Sequence, residues 1–534
     1  MKSYYILALS CAAAEALADF RSECAALSTS FIHENTDVLI SEYVPAGTNL
    51  TFPELAATTC DEFVVTLADM CRLKLNHSTS STSRVIMEVF LPTDWKLNGR
   101  RFLMTGNSGL GGCISYSDLV FGAKLGFATV GHDNGHTGAT GLPFLNRPEV
   151  IKDFAWRALY EAGRVGRAAV NFFYTGGNIR KSYYMGCSTG GRQGMKAAQD
   201  FPEEYDGIIS AAPAIRSAGL SAITTKTHLI FGKPGSPSHL TLEQWARVHR
   251  MVAEQCDWID GVLDGVLEDP MKCQPRPEAL LCKSGQSWGS HQCLSLPQVK
   301  AIREFYQPMY GNGGKFLFPR MQPLTHEFLG FLINYGGTPS KFPEHWYRYA
   351  LFSNPDWSIS SDFNLDVVDK DLEDQYGLET YNTDLSYQKG NRTKVLLYHG
   401  LTDGLISSEN SYEYYNDVSR TMGLTSKEMD EFFRFFPIPG LDHCFTGNGA
   451  WYVGGPVQFE TPGFLALDPS DSALMSMVKW VEDGVAPDIL KGRKIVDGVV
   501  VSEKNHCKYP KQNIYKGSGD PNLASNWKCN SELV

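Results

Sequence analysis

Several absences narrow the role of this 534-residue chain before any motif is considered. No long basic run occurs, and 48 Lys and Arg face 59 Asp and Glu for a formal charge of −11. That balance lacks the cationic footprint that phosphate backbones or anionic lipid surfaces require, so no nucleic-acid or membrane partner is expected. Charged residues make up only 20% of the chain, and aromatic residues occur throughout, which excludes coiled-coil, collagen-like and disordered classes. There is no Cys-x-x-Cys pair, which argues against a zinc ribbon or a thioredoxin-like centre. Internal repeats and low-complexity tracts are absent. Beyond the N-terminus, no apolar run reaches the ~18 residues that span a bilayer.

What is present reads as a globular, exported protein. A hydrophobic content of 43% is enough for a sizeable core, and the length allows two or three domains. Met1-Lys2, the apolar stretch Tyr4 to Ala14 and the small-x-small ending Ala16-Leu17-Ala18 predict a cleaved secretory signal over residues 1–18. Removing Cys11 with it leaves twelve cysteines: Cys24, Cys60, Cys71, Cys113, Cys187, Cys256, Cys273, Cys282, Cys293, Cys444, Cys507 and Cys529. An even number suits bridges in an oxidising compartment. Sequons at Asn49, Asn76 and Asn391 fit the same secretory route and are expected glycosylation sites.

Short apolar runs at Arg101–Gly106, Phe127–Gly131 and Lys181–Gly186 predict buried strands of a sheet covered on both faces, hence an α/β fold. Between the second and third, Glu149 to Tyr174 carries apolar residues at intervals of one, three and four, the pattern of a crossover helix. A helix from Gly191 to Phe201 and a strand from Gly207 to Pro213 follow. The next comparable strand, Lys394 to Gly400, is too distant for a loop, so residues 226–391 read as an inserted domain. Phe432 to Ile438 supplies one more strand, and Leu474 to Glu482 a closing helix.

Gly186-Cys187-Ser188-Thr189-Gly190 is a G-x-S-x-G at a strand-to-helix junction. Small residues there allow a strained turn that lifts a serine hydroxyl above the sheet. A serine needs a base to take its proton and an acid to orient that base, and in this fold the order along the chain is Ser, Asp, His. Asp403 in His399-Gly400-Leu401-Thr402-Asp403-Gly404 follows a buried strand and is the expected acid. His443 in Pro439-Gly440-Leu441-Asp442-His443-Cys444 follows the last strand and is the expected base. His132 and His136 are rivals, but they precede Ser188, which leaves His136 as a candidate pocket wall. Cys187 precedes the nucleophile and Cys444 follows the base. If Ser188 and His443 approach, their neighbours come within the ~6 Å α-carbon spacing of a disulfide.

Cys-Ser, then Asp, then His-Cys, with the Gly106-Asn107-Ser108-Gly109-Leu110-Gly111-Gly112 loop, resembles the tannase and feruloyl esterase family of secreted fungal α/β-hydrolases. The resemblance spans nearly the whole mature chain. It implies an α/β-hydrolase fold, with a catalytic domain at 19–225 and 392–534 and a lid domain at 226–391. Overall length and the lack of a Lys-Arg processing site in the lid look more like type B feruloyl esterases than like tannases. Thr189 is the expected oxyanion donor after the nucleophile, with Gly109, or its rival Leu110, as the second. In the lid, the segment Cys256 to Val266 carries three carboxylates and two glycines, a composition that suits a hard cation. By resemblance this is a structural Ca²⁺ site held by the side chains of Asp257, Asp260 and Asp264 and the carbonyls of Val262 and Val266, with no organic cofactor. The expected bridges are Cys187–Cys444, Cys256–Cys273, Cys282–Cys293 and Cys507–Cys529, with Cys24–Cys71 and Cys60–Cys113 completing six.

The expected activity is a secreted serine esterase acting on hydroxycinnamoyl esters (feruloyl, p-coumaroyl or caffeoyl). Its substrates would be free phenolic esters or esters attached to arabinoxylan or pectin, in the context of xylan breakdown. A galloyl-ester hydrolase is the alternative within the family. A serine peptidase and an inactive hydrolase-fold binding protein are the readings from other classes. Trp346, Tyr347, Tyr349 and Trp357 are candidate walls of the substrate pocket.

Overall fold

A computed structural model of the chain describes residues 17–56, 58–325, 330–391, 393–459, 468 and 471–530. The expected leader lies outside the described residues except for Leu17 and Ala18. Nine strands form a mixed sheet: β1 (Thr36–Val44), β2 (Met70–Ser78), β3 (Arg84–Pro92), β4 (Arg101–Thr105), β5 (Ala128–His132), β6 (Lys181–Cys187), β7 (Gly207–Ala211), β8 (Lys394–Gly400) and β9 (Phe433–Ile438). Their order is β1-β2-β3-β5-β4-β6-β7-β8-β9. The chain packs as two compact units.

The first unit comprises Met1–Ala139, Glu149–Tyr184 and Glu204–Asp206. Here β2 pairs antiparallel with β3 from Met70↔Pro92 to Ser78↔Arg84, and β1 joins β2 with a bulge between Val38 and Ile40. The parallel β4/β5 pair aligns Phe102 with Ala128. All five residues of β5 are buried, as expected for a strand covered on both faces. Helix α1 (Tyr116–Lys124) packs Leu119 and Val120 against Phe52, Met70 and Phe90. Within this core Glu88 is fully buried, and it accepts two hydrogen bonds from Arg72 (3.0 and 2.7 Å) and one from the Tyr116 hydroxyl (3.1 Å). A buried carboxylate persists only when its lone pairs are met in this way.

The crossover helix departs from the single run read between Glu149 and Tyr174. A short α-turn (Pro148–Lys152) passes into a π-turn (Asp153–Arg157) before α2 (Ala158–Phe173) begins. Asp153 is buried in that π-turn and accepts hydrogen bonds from Thr79, Ser83 and Arg157. The extra residue per turn accompanies this polar anchor inside an otherwise apolar face.

The second unit comprises Thr140–Pro148, Met185–Glu203 and Gly207–Val534. Strands β7, β8 and β9 are parallel, with Gly207↔Lys394 and Val395↔Phe433 in register. Helix α3 (Thr189–Asp200) starts two residues earlier than the sequence pattern suggested, directly after Ser188. Helix α4 (Ser217–Phe231) runs across residue 226 into the inserted segment. Two lid helices, α5 (Leu242–Cys256) and α6 (Leu296–Phe305), each open on a capping box, Thr241 with Gln244 and Ser295 with Gln298. Their apolar faces bury Trp245, Val252, Ile302 and Phe305 with Phe231 and Tyr335 in a cluster belonging to the insertion. Helix α7 (Glu409–Met422) follows β8, and α8 (Ala473–Asp483) closes the sheet region. A terminal hairpin, β10 (Ile489–Val496) and β11 (Val499–Cys507), turns at Asp497-Gly498 with φ of 50° and 76°.

Six disulfides join Cys24–Cys71, Cys60–Cys113, Cys187–Cys444, Cys256–Cys273, Cys282–Cys293 and Cys507–Cys529, the pairs expected. Among the described residues no helix is long and apolar enough to cross a membrane. Of the sequon asparagines, Asn49 and Asn391 are exposed, whereas Asn76 is half-buried on β2.

Candidate active site

Ser188 sits between β6 and α3 with φ 64° and ψ −119°, a left-handed conformation that a non-glycine residue adopts only under constraint. The constraint is hydrogen-bonded. Its N–H donates to Ala211 O at 3.0 Å, and its carbonyl accepts from Arg192 N (2.9 Å) and Ala214 N (3.1 Å). Two glycines make room for the turn. A Cβ on Gly186 would lie 2.6 Å from the carbonyl carbon of Gly190, and one on Gly191 would lie 2.2 Å from Ala211 O. Thr189, buried, is the first residue of α3.

Asp403 lies in the turn after β8, and His443 in the loop after β9. The two loops touch at Gly400, where a Cβ would meet Leu441 O at 2.2 Å and Asp442 O at 2.3 Å. Thr402 fastens them further, its hydroxyl 2.8 Å from both Leu441 O and Asp442 Oδ1. This closeness brings His443 Nδ1 to 2.7 Å from Asp403 Oδ2. A carboxylate can only accept, so Nδ1 carries the proton and Nε2 is left as a base. The other oxygen, Asp403 Oδ1, accepts the N–H groups of Leu405 (2.8 Å) and Ile406 (2.9 Å). Burial by itself pushes the Asp403 carboxyl up. The charge of His443 and hydrogen bonds from His399 and His443 outweigh it and hold the group well below the usual carboxylate range.

The Cys187–Cys444 bridge, with α-carbons 6.0 Å apart, links the residue before Ser188 to the residue after His443. Gln458 is fully buried and donates to Cys444 O at 2.9 Å while accepting from Val453 N and Gly455 N. The loop bearing His443 is thereby held on both sides. Sequence reasoning passed over Gln458 and also over His399, although His399 heads the same stretch as Asp403.

In the first unit, Gly109 adopts φ 57° in the loop after β4. That loop is anchored by the Asn107 amide, which donates to Cys113 O (2.9 Å) and His132 O (2.6 Å), and by Cys60–Cys113. A Cβ on Gly112 would lie 1.7 Å from His136 O, so glycine is required there. His136 Nε2 donates to Leu110 O at 2.8 Å, and burial pushes His132 down to about 3, keeping it neutral. Both rival histidines thus serve the backbone around them.

In the lid, Asp257, Asp260 and Asp264 each accept a backbone N–H of their own loop, from Gly265, Val262 and Val266 respectively, at 3.0 Å. Burial raises all three carboxyls, Asp260 to about 6, and neighbouring acid groups add to the rise. The all-oxygen donor set fits a hard cation in kind. Among the described residues, though, no three such side chains are gathered into a metal cluster, and Lys504 Nζ lies 3.8 Å from Asp264 Oδ2. Of the aromatic candidates, Trp346, Tyr347 and Trp357 are buried and Tyr349 is half-buried. Tyr347 stacks edge-on against Trp357 at 5.3 Å, and Trp346 donates its indole N–H to Asp371 at 2.7 Å.

A family profile described as tannase and feruloyl esterase matches residues 71–325 and 361–530. The chain is 42% identical over 513 residues to a probable feruloyl esterase B of Emericella nidulans, covering 96% of this chain and 95% of the relative. The crystal structure of feruloyl esterase B from Aspergillus oryzae superposes with a TM-score of 0.91 at 40% identity, over 96% of this chain and 100% of that one. A tannin acyl hydrolase from Aspergillus niger shares the fold at TM-score 0.70 with 19% identity, over 96% and 94%. On profile and full-length identity together, the chain belongs to the tannase and feruloyl esterase family.

Proposed function

We propose that this protein is a secreted serine esterase that hydrolyses hydroxycinnamoyl esters, free or attached to plant cell-wall polysaccharide. The observation that carries the reading is the 2.7 Å bond from His443 Nδ1 to Asp403 Oδ2, in a loop bridged through Cys444 to the residue before Ser188. In this mechanism Ser188 Oγ attacks the ester carbonyl while His443 Nε2 takes its proton. The negative charge on the former carbonyl oxygen is met by the N–H of Thr189, with Gly109 as the second donor assigned from sequence. His443 then gives the proton to the leaving alcohol. Water attacks the acyl-enzyme as His443 takes a proton from it, and that proton returns to Ser188 as the free acid departs.

The feruloyl rather than galloyl reading rests on full-length relatives at 40–42% identity that are named feruloyl esterase B, against 19% for the tannin acyl hydrolase. Product analysis on methyl ferulate, methyl caffeate and methyl gallate tests it. Release of ferulate and caffeate is expected to exceed release of gallate, and a preference for gallate would reverse the assignment. Ser188→Ala should fall by about four orders of magnitude in turnover while staying folded. A fluorophosphonate should label the parent at Ser188, which an inactive binding protein would not allow. The lid loop at Asp257, Asp260, Asp264, Val262 and Val266 is proposed to hold a structural Ca²⁺, for which its carboxylates would have to converge. Export is proposed from the leader and from six disulfides of the kind that persist in oxidising compartments.

A further inference from the structure

His399, the penultimate residue of β8, is fully buried and makes three polar contacts. Its Nε2 stands 3.1 Å from Asp403 Oδ2 and 3.1 Å from Ile406 O, and its Nδ1 stands 2.7 Å from Ser411 Oγ on α7. A carboxylate and a carbonyl only accept, so Nε2 bears a hydrogen, and in the neutral ring Nδ1 then accepts the Ser411 hydroxyl hydrogen. One tautomer is therefore built in. Asp403 then receives four donors, two on each oxygen: Leu405 N and Ile406 N on Oδ1, His443 Nδ1 and His399 Nε2 on Oδ2. Two imidazoles share one carboxylate oxygen, and only one of them faces the nucleophile's loop through Cys444.

We infer that His399 is a positioning residue for the proposed reaction: its Nε2–H locks the rotation of the Asp403 carboxylate and draws off part of the charge that Asp403 presents to His443. The inference rests on the triad reading given above. Among the described residues the titratable groups with the largest effect on Asp403 are His443 and His399, and Leu405 and Ile406 donate backbone amides to it. Without His399, Oδ2 would keep a single donor, so the carboxylate could turn and His443 would drift from its productive orientation. Positional error of that kind lowers the chemical step more than substrate binding. A less compensated carboxylate also holds the His443 proton more tightly, which shifts the acid limb of the pH profile upward.

The test compares His399→Leu and His399→Gln with the parent on methyl ferulate across pH. His399→Leu should lose about 10- to 100-fold in kcat with KM nearly unchanged, and its acid limb should move up by roughly half a pH unit. Gln carries an N–H that reaches the Nε2 position, so His399→Gln should recover most of the rate and the parental limb. Parental kcat and pH limb in His399→Leu would overturn the role. Equal losses in both variants with an unmoved limb would make His399 a packing residue only and would overturn it as well. Should His399→Leu fail to fold, ¹⁵N-histidine spectra of the parent decide, with His399 identified by its absence from His399→Gln. The expected form carries a proton on Nε2, and a bare Nε2 contradicts the inference. Asp403→Asn and His443→Ala run in parallel. Full activity in those two would defeat the triad reading itself, whatever His399 does.

Discussion

A buried acid group shows how a single residue can couple pH to stability. Asp371 is almost wholly buried, and its Oδ1 accepts the Trp346 indole N–H while its Oδ2 meets no hydrogen-bond partner among the described residues. Burial raises its carboxyl to about 7, opposed by the Trp346 bond and assisted by Glu379 and Asp374. The unfolded carboxyl ionises near the ordinary value while the folded one keeps its proton up to about pH 7. In that window the unfolded state binds fewer protons, so stability falls as pH rises, by up to ~1.4 kcal/mol per pH unit for a fully shifted group. Asp371→Asn keeps an acceptor for Trp346 and removes the charge. It should therefore melt higher than the parent at pH 8 and almost equally at pH 4.5. A variant with the parent's full pH dependence would locate that dependence elsewhere. Asp403 has the opposite sign. Its depressed value contributes stability that is present at neutral pH and lost only as pH falls through the folded value, below the unfolded one.

Among the elements, the Cys187–Cys444 bridge has the widest reach, because it closes 257 residues of sequence. Chain-entropy arguments give a cross-link of that span about 5 kcal/mol, with measured values often smaller. On the proposed mechanism its effect on turnover is expected to be sharper than its thermodynamic one, since it joins the β6 end to the loop after β9. The Cys187→Ala/Cys444→Ala double variant should lose turnover at temperatures where circular dichroism still reports a folded chain. Retention of full turnover would make the bridge incidental to catalysis. The same scale shows why some elements were legible and others were not. β8 carries the apolar run Val395–Tyr398 and is buried at six of seven positions, and its bounds match the sequence reading to the residue. The antiparallel β1 and β2 carry mixed patterns in which Lys74, Asn76 and Glu42 interrupt the apolar signal, and they were missed. The β10/β11 hairpin was also missed, although Asp497-Gly498 between two β-rich runs is a strong type I′ turn signal.

Taken as a whole, the second unit binds its C-terminal hairpin to the lid loop through charge. Lys504 on β11 is buried, pairs with Glu268, and sits over the Trp527 ring at 3.9 Å. A Ca²⁺ at Asp257, Asp260 and Asp264 would add a second cation to that cluster. A ligand that binds only the folded state stabilises it by mass action, about 2.7 kcal/mol at a free concentration one hundred times Kd. Excess chelator should therefore lower Tm by a few degrees, and elemental analysis of purified protein should find about one calcium per chain. An unchanged Tm with no calcium found would remove the metal and leave Lys504 as a counter-charge to Asp264.

The sequence by itself determined what depends on near neighbours. The elbow follows from Gly186, Ser188 and Gly191, because the turn admits no Cβ where Gly190 and Ala211 pass. The order of Ser188, Asp403 and His443 follows from the strands that precede each of them, and the placement of Cys187 and Cys444 beside Ser188 and His443 points to their bridge. The tertiary structure alone decided what depends on groups brought together from separate segments. Only folding packs Gly400 against the Leu441 carbonyl, and with it comes the 2.7 Å contact of His443 with Asp403. Only folding directs His399 and Ser411 inward to complete the donors on one carboxylate, and only folding turns the crossover helix through a π-turn around Asp153. A residue pattern encodes periodicity and steric tolerance along the chain. It does not encode which lone pair a buried donor will meet, because that is set by the backbone paths of segments brought together in the packed unit.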